Sequence, residues 1–255
     1  MVLSVETKLL LAIITEGIVL LSVSFVVLFL YIKYRQRKKS AALALAVAFT
    51  FYNIAIICLF TFRILAYLQE VGTLSDYYGF SNIGISLGYG FSALSNIFIF
   101  IFVSIIFAQS PMFRRTGTIA PLIFASLNGV TIGLLVGNAI TNWPNPSYDL
   151  GPTVYHLILT FIAFISLIRF TIPSYKAATL KWEKAGFQFI IVSGTFGILV
   201  YLSFVVDVIL GDLTGIIENG YTPFFFIAYV CALIMCNFAY LGYSMPNAVR
   251  KWFKE

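Results

Sequence analysis

The sequence has very little charge and almost no histidine or cysteine. Charged residues make up 10% of its 255 positions, against about 25% in soluble proteins, whereas apolar residues make up 60%. The mean hydropathy of +0.96 means that the polar side chains are too few to coat a globule in water. Most of the chain must therefore face lipid, and we expect an integral membrane protein.

The scarcity of ligating residues excludes several chemistries. A single histidine cannot provide the two imidazoles of a bis-histidine haem site, and no clustered Cys/His spacing indicates a zinc site. The three cysteines, Cys58, Cys231 and Cys236, lie inside apolar runs, which excludes a secreted disulfide framework. No nucleophile, base and orienting group can be assembled on one side of the membrane. We therefore expect no metal, no cofactor and no enzymatic activity.

Long apolar runs predict seven transmembrane helices. A helix needs about 20 mostly apolar residues to cross the hydrocarbon core. Unbroken runs such as Ile97–Ile106 lack the alternation typical of a membrane β-barrel. The predicted fold is all-α, a single seven-helix domain over residues 1–255. The spans are about Leu9–Ile32, Ala42–Leu68, Ser81–Ala108, Thr118–Ile140, Thr153–Ile172, Phe187–Leu210 and Thr222–Tyr243.

Lysine and arginine predict the orientation of the bundle. They cluster after spans one, three, five and seven, at Lys33, Arg35, Arg37, Lys38, Lys39, Arg114, Arg115, Lys176, Lys181, Lys184, Arg250, Lys251 and Lys254. Only Lys8 lies on the opposite side. The positive-inside rule then places the N-terminus outside and the C-terminus in the cytoplasm, in a multi-pass protein of the plasma membrane. The net charge of +6 indicates attraction to anionic lipid headgroups and no nucleic-acid partner.

Proline marks the exits of three spans. Pro111, Pro173 and Pro246 each precede basic residues, which is typical of helix ends under the positive-inside rule. The same pattern is compatible with a three-plus-one-plus-three duplication, as in some transporters. Little else in spans one to three matches spans five to seven.

Small residues recur at every fourth position in two spans. Span three carries Gly84 and Gly88, followed by Ser92 and Asn96. In span four, Ala125 is followed at the same spacing by Gly129, Gly133 and Gly137. Such faces let helix backbones approach closely. We predict that both spans use these residues in tight helix contacts.

Charged residues inside the spans are the best candidates for a site. Each costs roughly 2.5–3.5 kcal/mol on insertion scales. Glu16, Arg63 and Asp207 all fall in the outer third of the membrane. His156 begins span five and Asn138 ends span four on the same side, whereas Arg169 lies near the inner end of span five. One cation facing two carboxylates predicts an ion pair and a spare carboxylate, which could bind a cation, an amine or a proton near the imidazole. The alternative is a purely structural pair.

A second polar set carries no charge. Asn53, Asn96, Asn128 and Asn237 fall near mid-membrane or on the inner half, together with Tyr52 and Tyr201. Interhelical hydrogen bonds of such groups typically contribute about 0.6 kcal/mol. We therefore expect them to hold helices together.

The span count and orientation are similar to those of several known families. The plan resembles microbial rhodopsins, but span seven has no lysine for retinal and span three has no carboxylate as counter-ion. Seven-helix hydrolases of the ceramidase and adiponectin-receptor type need several histidines, and the three-plus-one-plus-three sugar transporters carry a Pro-Gln signature that is absent here. The exit of span seven, Tyr240-Leu-Gly-Tyr-Ser-Met-Pro246 followed by basic residues, resembles the seven-helix sensor region of membrane histidine kinases. That resemblance implies a stand-alone sensor whose output is a partner, because the chain ends where an output domain would begin.

Three functions are compatible with these features. The first is a receptor-like or sensory module, in which a ligand or proton enters an outward-facing polar pocket and the basic inner loops signal to an unknown partner. The second is a channel or secondary transporter with Glu16 or Asp207 as a protonatable gate. The third is an accessory subunit of a larger membrane complex. Because the mid-membrane groups are amides, the sensor is favoured over an ion-coupled transporter.

Overall fold

A computed structural model describes residues 4–74, 78–147, 150–214 and 221–253, and the side chains of residues 211–214 are not described. Lys254, one of the basic residues counted above, lies outside these ranges. All the regular elements within them are helices. They are α1 (Val5–Arg37), α2 (Ser40–Glu70), α3 (Phe80–Ile106), α4 (Pro111–Thr116), α5 (Ile119–Thr141), α6 (Leu150–Ala177), α7 (Lys181–Thr214), α8 (Pro223–Ser244) and α9 (Asn247–Lys251).

Seven of these helices are long and apolar enough to cross a membrane, which confirms the predicted fold class. Several extend beyond the predicted spans because the hydropathy pattern marks only the hydrocarbon-facing part of a helix. Helix α1 begins at Val5, where the Ser4 hydroxyl accepts a hydrogen bond from Thr7 N at 3.3 Å. It ends at Arg37, and the C-cap residue Lys38 has a left-handed φ of 48°.

Two of the three prolines lie where a spanning helix has ended, as the sequence predicts, and the third lies inside a spanning helix. Pro111 lies at the start of the short helix α4, and Pro246 is the residue before α9. Both positions suit proline, because the first turn of a helix needs no backbone N–H donor. Pro173 differs from the prediction, because it lies inside α6, which continues to Ala177. Pro173 falls in the last turns of the helix, where the loss of one backbone hydrogen bond is tolerated.

The spanning helices form a closed ring. Successive contacts run α1–α2–α3, then through α6 and α7 to α8, and α8 returns to α1. Helix α5 packs against α3 and α6. We name the end of the bundle with the N-terminus the N-terminal side, and the end with the 33–39 turn and α9 the basic side.

The small residues of α3 make the tight contact that the sequence predicts. A methyl group added at Gly84 would lie 2.8 Å from Phe62 Cβ, and one added at Gly88 would lie 3.0 Å from Leu59 Cγ. Both neighbours belong to α2. Helices α2 and α3 therefore approach each other closely along this face, and the prediction for Gly84 and Gly88 is confirmed.

The corresponding prediction for span four is wrong. A methyl group added at Gly129, Gly133 or Gly137 meets no atom within 4 Å. Helix α5 instead packs through its opposite face, which buries Phe124, Asn128, Thr131, Leu135 and Ala139. Lipid surrounds small and large apolar side chains alike, so residue size alone does not determine which face of a membrane helix packs against protein.

Other glycines that the sequence did not single out also pack closely against neighbouring helices. At the basic side, a methyl group at Gly242 of α8 would lie 2.9 Å from the Gly186 carbonyl oxygen of α7. Along α7, a methyl group at Gly194 would lie 2.7 Å from Ile168 Cγ1 of α6. Small residues thus set the spacing of α6, α7 and α8 as well.

Candidate functional site

A buried ion pair joins α1 and α2 towards the N-terminal side. Glu16 is completely buried and Arg63 is only 7% exposed. Arg63 Nη2 lies 3.4 Å from Glu16 Oε1. The sequence left open which carboxylate pairs with Arg63, and the structure identifies Glu16.

Two tyrosines complete this arrangement from the α8 side. The Tyr229 hydroxyl donates a hydrogen bond to Glu16 Oε1 at 2.7 Å. Arg63 donates a hydrogen bond to the Tyr221 hydroxyl, and its guanidinium carbon lies 4.9 Å from the centre of the Tyr221 ring. We name Glu16, Arg63, Tyr221 and Tyr229 the charged cluster. It connects α1, α2 and the beginning of α8.

The charged cluster is buried, yet two of its polar atoms have no hydrogen-bond partner in the described part of the chain. They are Glu16 Oε2 and Arg63 Nε. Buried polar groups are nearly always hydrogen-bonded, and a charged group left partly unsatisfied is costly. The cluster therefore contains one unused acceptor and one unused donor.

Asp207 does not belong to the charged cluster. Its Oδ1 accepts a hydrogen bond from the backbone N of Thr222 at 2.7 Å. The Thr222 side chain caps α8, accepting a hydrogen bond from Phe224 N at 3.2 Å. Asp207 of α7 thus fixes the beginning of α8, a structural role that satisfies a backbone donor at a helix start.

His156 also lies apart from the charged cluster. Its ring stacks on Tyr89 of α3, with ring centres 5.3 Å apart, and meets the edge of Tyr201 of α7 at 5.8 Å. The histidine is 1% exposed, and neither ring nitrogen has a hydrogen-bond partner among the described residues. The predicted combination of His156 with Glu16 is therefore not formed.

Asn138 serves the loop after α5. Its Nδ2 donates a hydrogen bond to the Ser147 carbonyl oxygen at 2.9 Å, and its Oδ1 accepts one from Asn142 Nδ2 at 2.6 Å. The predicted site of five residues is thus distributed over separate places. Glu16, Arg63, His156 and Asp207 are all buried, so the open polar pocket that the sequence predicts is closed.

Sequence reasoning did not connect the two tyrosines of the charged cluster with Glu16 and Arg63. A tyrosine in an apolar run is as typical of a membrane interface as of a buried hydrogen bond. The available signal was Tyr229, which falls deep inside span seven, where a hydroxyl needs a partner.

Three of the four asparagines form the interhelical hydrogen bonds that the sequence predicts. Asn96 of α3 donates to Thr160 Oγ1 of α6 at 2.7 Å, and Asn53 of α2 donates to Ser24 Oγ of α1 at 3.1 Å. Asn237 of α8 reaches Ser22 of α1 at 3.3 Å. Asn128 differs, because its Nδ2 donates to Phe124 O of its own helix.

An aromatic cavity of about 30 Å³ adjoins the charged cluster. Tyr229 lines it from α8, and Tyr52, Tyr89 and Tyr201 line it from α2, α3 and α7. Ser92 also lines it and hydrogen-bonds to the Tyr201 hydroxyl. The cavity therefore lies between the charged cluster and the ring of His156.

Of the charged residues that the sequence predicts for a site, Glu16 and Arg63 come together, and they do so in the charged cluster on α1, α2 and α8. No group of three metal-ligating side chains comes together within residues 4–74, 78–147, 150–214 and 221–253. The chain is a multi-pass membrane protein with a closed, buried ion pair. No known protein family, curated protein or solved structure matches it.

Proposed function

We propose that this protein is a receptor-like sensory module of the plasma membrane that responds when the charged cluster is occupied. The observation that carries the proposal is the pair of unused positions, Glu16 Oε2 and Arg63 Nε, inside a buried ion pair. A proton on the carboxylate is the simplest occupant, and a small molecule with one donor and one acceptor is the next. Intramembrane charges that are not fully satisfied are typical of functional sites.

The position of the charged cluster supports a role in signalling. It connects α1, α2 and α8. The far ends of the same helices carry the 33–39 basic turn and α9. A change in the Glu16–Arg63 pair would alter how α1 packs against α2 and α8, and a helix transmits such a shift along its length.

The basic side supplies the surface for the output. Under the positive-inside rule we place it in the cytoplasm, against anionic lipid headgroups and a signalling partner. Helix α9 already packs on the start of α7 there. The Arg250 guanidinium lies 4.0 Å from the Trp182 ring, and Phe253 lies 6.1 Å from Phe189 between ring centres. The displacement of α9 would expose this surface.

The test uses Trp182 as an internal reporter. Phenylalanine replaces the other two tryptophans, Trp143 and Trp252, and the protein is reconstituted into vesicles of phosphatidylcholine with a minority of phosphatidylglycerol. We expect the Trp182 emission to change sigmoidally as the pH is lowered, because protonation of Glu16 changes the Arg250 contact. Glu16→Gln should abolish the change in a protein that still folds, although the loss of the Arg63 counter-charge lowers its melting temperature.

Matched controls keep this test specific. Glu16 contacts Arg63 of α2 and Tyr229 of α8, and Arg63 in turn contacts Tyr221. Asp207→Asn retains an oxygen acceptor for Thr222 N and should leave the response intact. A response that persists in Glu16→Gln, or a parent protein without any response, contradicts the proposal.

A secondary transporter is the second candidate, favoured by the cavity of about 30 Å³ beside the charged cluster. Such a cavity could extend a path from Glu16 towards the middle of the bundle. A proton flux into vesicles that is lost in Glu16→Gln would identify transport. We expect no such flux for the sensor, because its response requires only occupation of the site.

A further inference from the structure

Four buried polar atoms on α5 and α6 have no hydrogen-bond partner among the described residues. They are Asn128 Oδ1, Thr131 Oγ1 and both ring nitrogens of His156. The three side chains are 0%, 0% and 1% exposed. Their number is unusual, because nearly all buried side-chain polar atoms in native proteins are hydrogen-bonded.

Contacts between α3 and α5 place Asn128 opposite Asn96. The rings of Phe100 and Phe124 stack with centres 4.4 Å apart. Asn96 lies four residues before Phe100 in α3, and Asn128 lies four residues after Phe124 in α5. Because α3 and α5 are antiparallel neighbours, the two asparagines lie at the same depth.

Contacts to α6 bring His156 to nearly the same level. The Tyr155 hydroxyl donates to the Leu127 carbonyl oxygen of α5 at 3.3 Å, next to Asn128 in the chain. Asn96 Nδ2 donates to Thr160 Oγ1 at 2.7 Å, one helical turn beyond His156. The polar side chains of α3, α5 and α6 thus lie at similar depths, on three helices that pack against one another.

We propose that α3, α5 and α6 enclose a second polar site, distinct from the charged cluster, and that this site binds water. The chemistry of the unsatisfied atoms selects water over a metal cation. The Asn128 and Thr131 oxygens can accept hydrogen bonds. A neutral imidazole differs, because it presents one N–H donor and one acceptor nitrogen. A cation would leave the imidazole N–H unsatisfied, whereas water supplies both donors and acceptors.

This site does not depend on the proposed sensory function. Tyr201, which hydrogen-bonds to Ser92, separates the His156 ring from the aromatic cavity beside the charged cluster. The two sites therefore have separate readouts. A negative result for the pH response does not contradict the proposed water site. A negative result for the water site likewise does not contradict the proposed sensory function.

Thermal unfolding of the full-length protein distinguishes a hydrated site from a dry one. If water hydrogen-bonds to Thr131, the Thr131→Val substitution removes one of its partners and lowers the melting temperature. If the hydroxyl is dry and unsatisfied, the valine relieves the penalty and raises the melting temperature. The matched control is Thr171→Val on α6, a buried threonine whose hydroxyl donates to the Leu167 carbonyl oxygen at 2.6 Å.

We expect Thr131→Val to lower the melting temperature at least as much as Thr171→Val does. A melting temperature at or above that of the parent overturns the proposal. Radiolytic labelling of the parent in ¹⁸O-water provides a second measurement that needs no variant. The His156 peptide should take up label although the residue is buried, whereas Phe102, which is also buried and apolar, should not. Equal absence of label in both peptides likewise overturns the proposal.

Discussion

Glu16 and Tyr229 are 213 residues apart in the chain, yet the tyrosine hydroxyl donates to the glutamate Oε1 at 2.7 Å. This hydrogen bond connects the first and the last of the spanning helices. Arg63 reaches the same oxygen atom from α2. A single buried carboxylate thus holds three helices together at the N-terminal side.

The first prediction concerns the stability of this arrangement. Glu16→Ala should lower the free energy of unfolding by about 3–5 kcal/mol, because it leaves the Arg63 guanidinium buried without its counter-charge. The measurement is equilibrium unfolding in mixed detergent micelles. The double variant Glu16→Leu/Arg63→Met removes both charges and should recover most of the loss. A Glu16→Ala protein as stable as the parent would show that the pair carries no stabilising charge interaction.

The second prediction concerns Asp207. Asp207→Ala should cost about 1–2 kcal/mol, because Thr222 N at the beginning of α8 loses its acceptor. Asp207→Asn retains an oxygen and should remain close to the parent. The same unfolding measurement compares the two. If Asp207→Asn is as unstable as Asp207→Ala, the charge of Asp207 matters more than the cap.

The third prediction compares two glycines. Gly242→Ala should destabilise the protein by about 1–3 kcal/mol, because its methyl group meets the backbone of α7. Gly133→Ala should be neutral or should stabilise α5 by up to about 1 kcal/mol, because its methyl group meets no neighbour and alanine favours helix. Both are measured as melting temperatures in one detergent. A loss for Gly133→Ala similar to that for Gly242→Ala would mean that a partner covers the α5 face in the sample.

The fourth prediction concerns the orientation in the membrane. In a background with alanine at Cys58, Cys231 and Cys236, single cysteines replace Thr73 on the N-terminal side and Lys39 on the basic side. A membrane-impermeant thiol reagent added to intact cells should label only the cysteine at position 73. The cysteine at position 39 should react after permeabilisation. Labelling in the opposite order would invert the orientation expected from the basic residues.

The spans could be predicted from the sequence, whereas the assembly of the site could not. The transfer of apolar side chains into lipid dominates the energetics of a membrane helix, so Leu9–Ile32 identifies α1 even though the helix continues to Arg37. Depth follows from position in the span, and Glu16 and Arg63 are therefore at a common level. Rotation about the helix axis is set by packing, which leaves no hydropathy signal.

The same limit explains the errors at individual residues. Asp207 has the depth of a site residue, but its Oδ1 accepts a hydrogen bond from the Thr222 backbone at the beginning of α8. His156 has a similar depth and faces Tyr89 and Tyr201 on other helices. Gly129 and Gly133 have the spacing of a packing face, yet α5 presents its opposite side to α3 and α6.

The long sequence separation within the charged cluster has a consequence for biosynthesis. Helix α1 leaves the ribosome first, with the Glu16 carboxylate facing no partner until α2 brings Arg63, which is 47 residues later. An unpaired carboxylate in lipid costs roughly 2.5–3.5 kcal/mol on insertion scales. The Tyr229 hydroxyl arrives only with the last spanning helix. We therefore expect α1 to remain beside the insertion machinery until α2 has emerged, and the ring of helices to close once α8 has emerged.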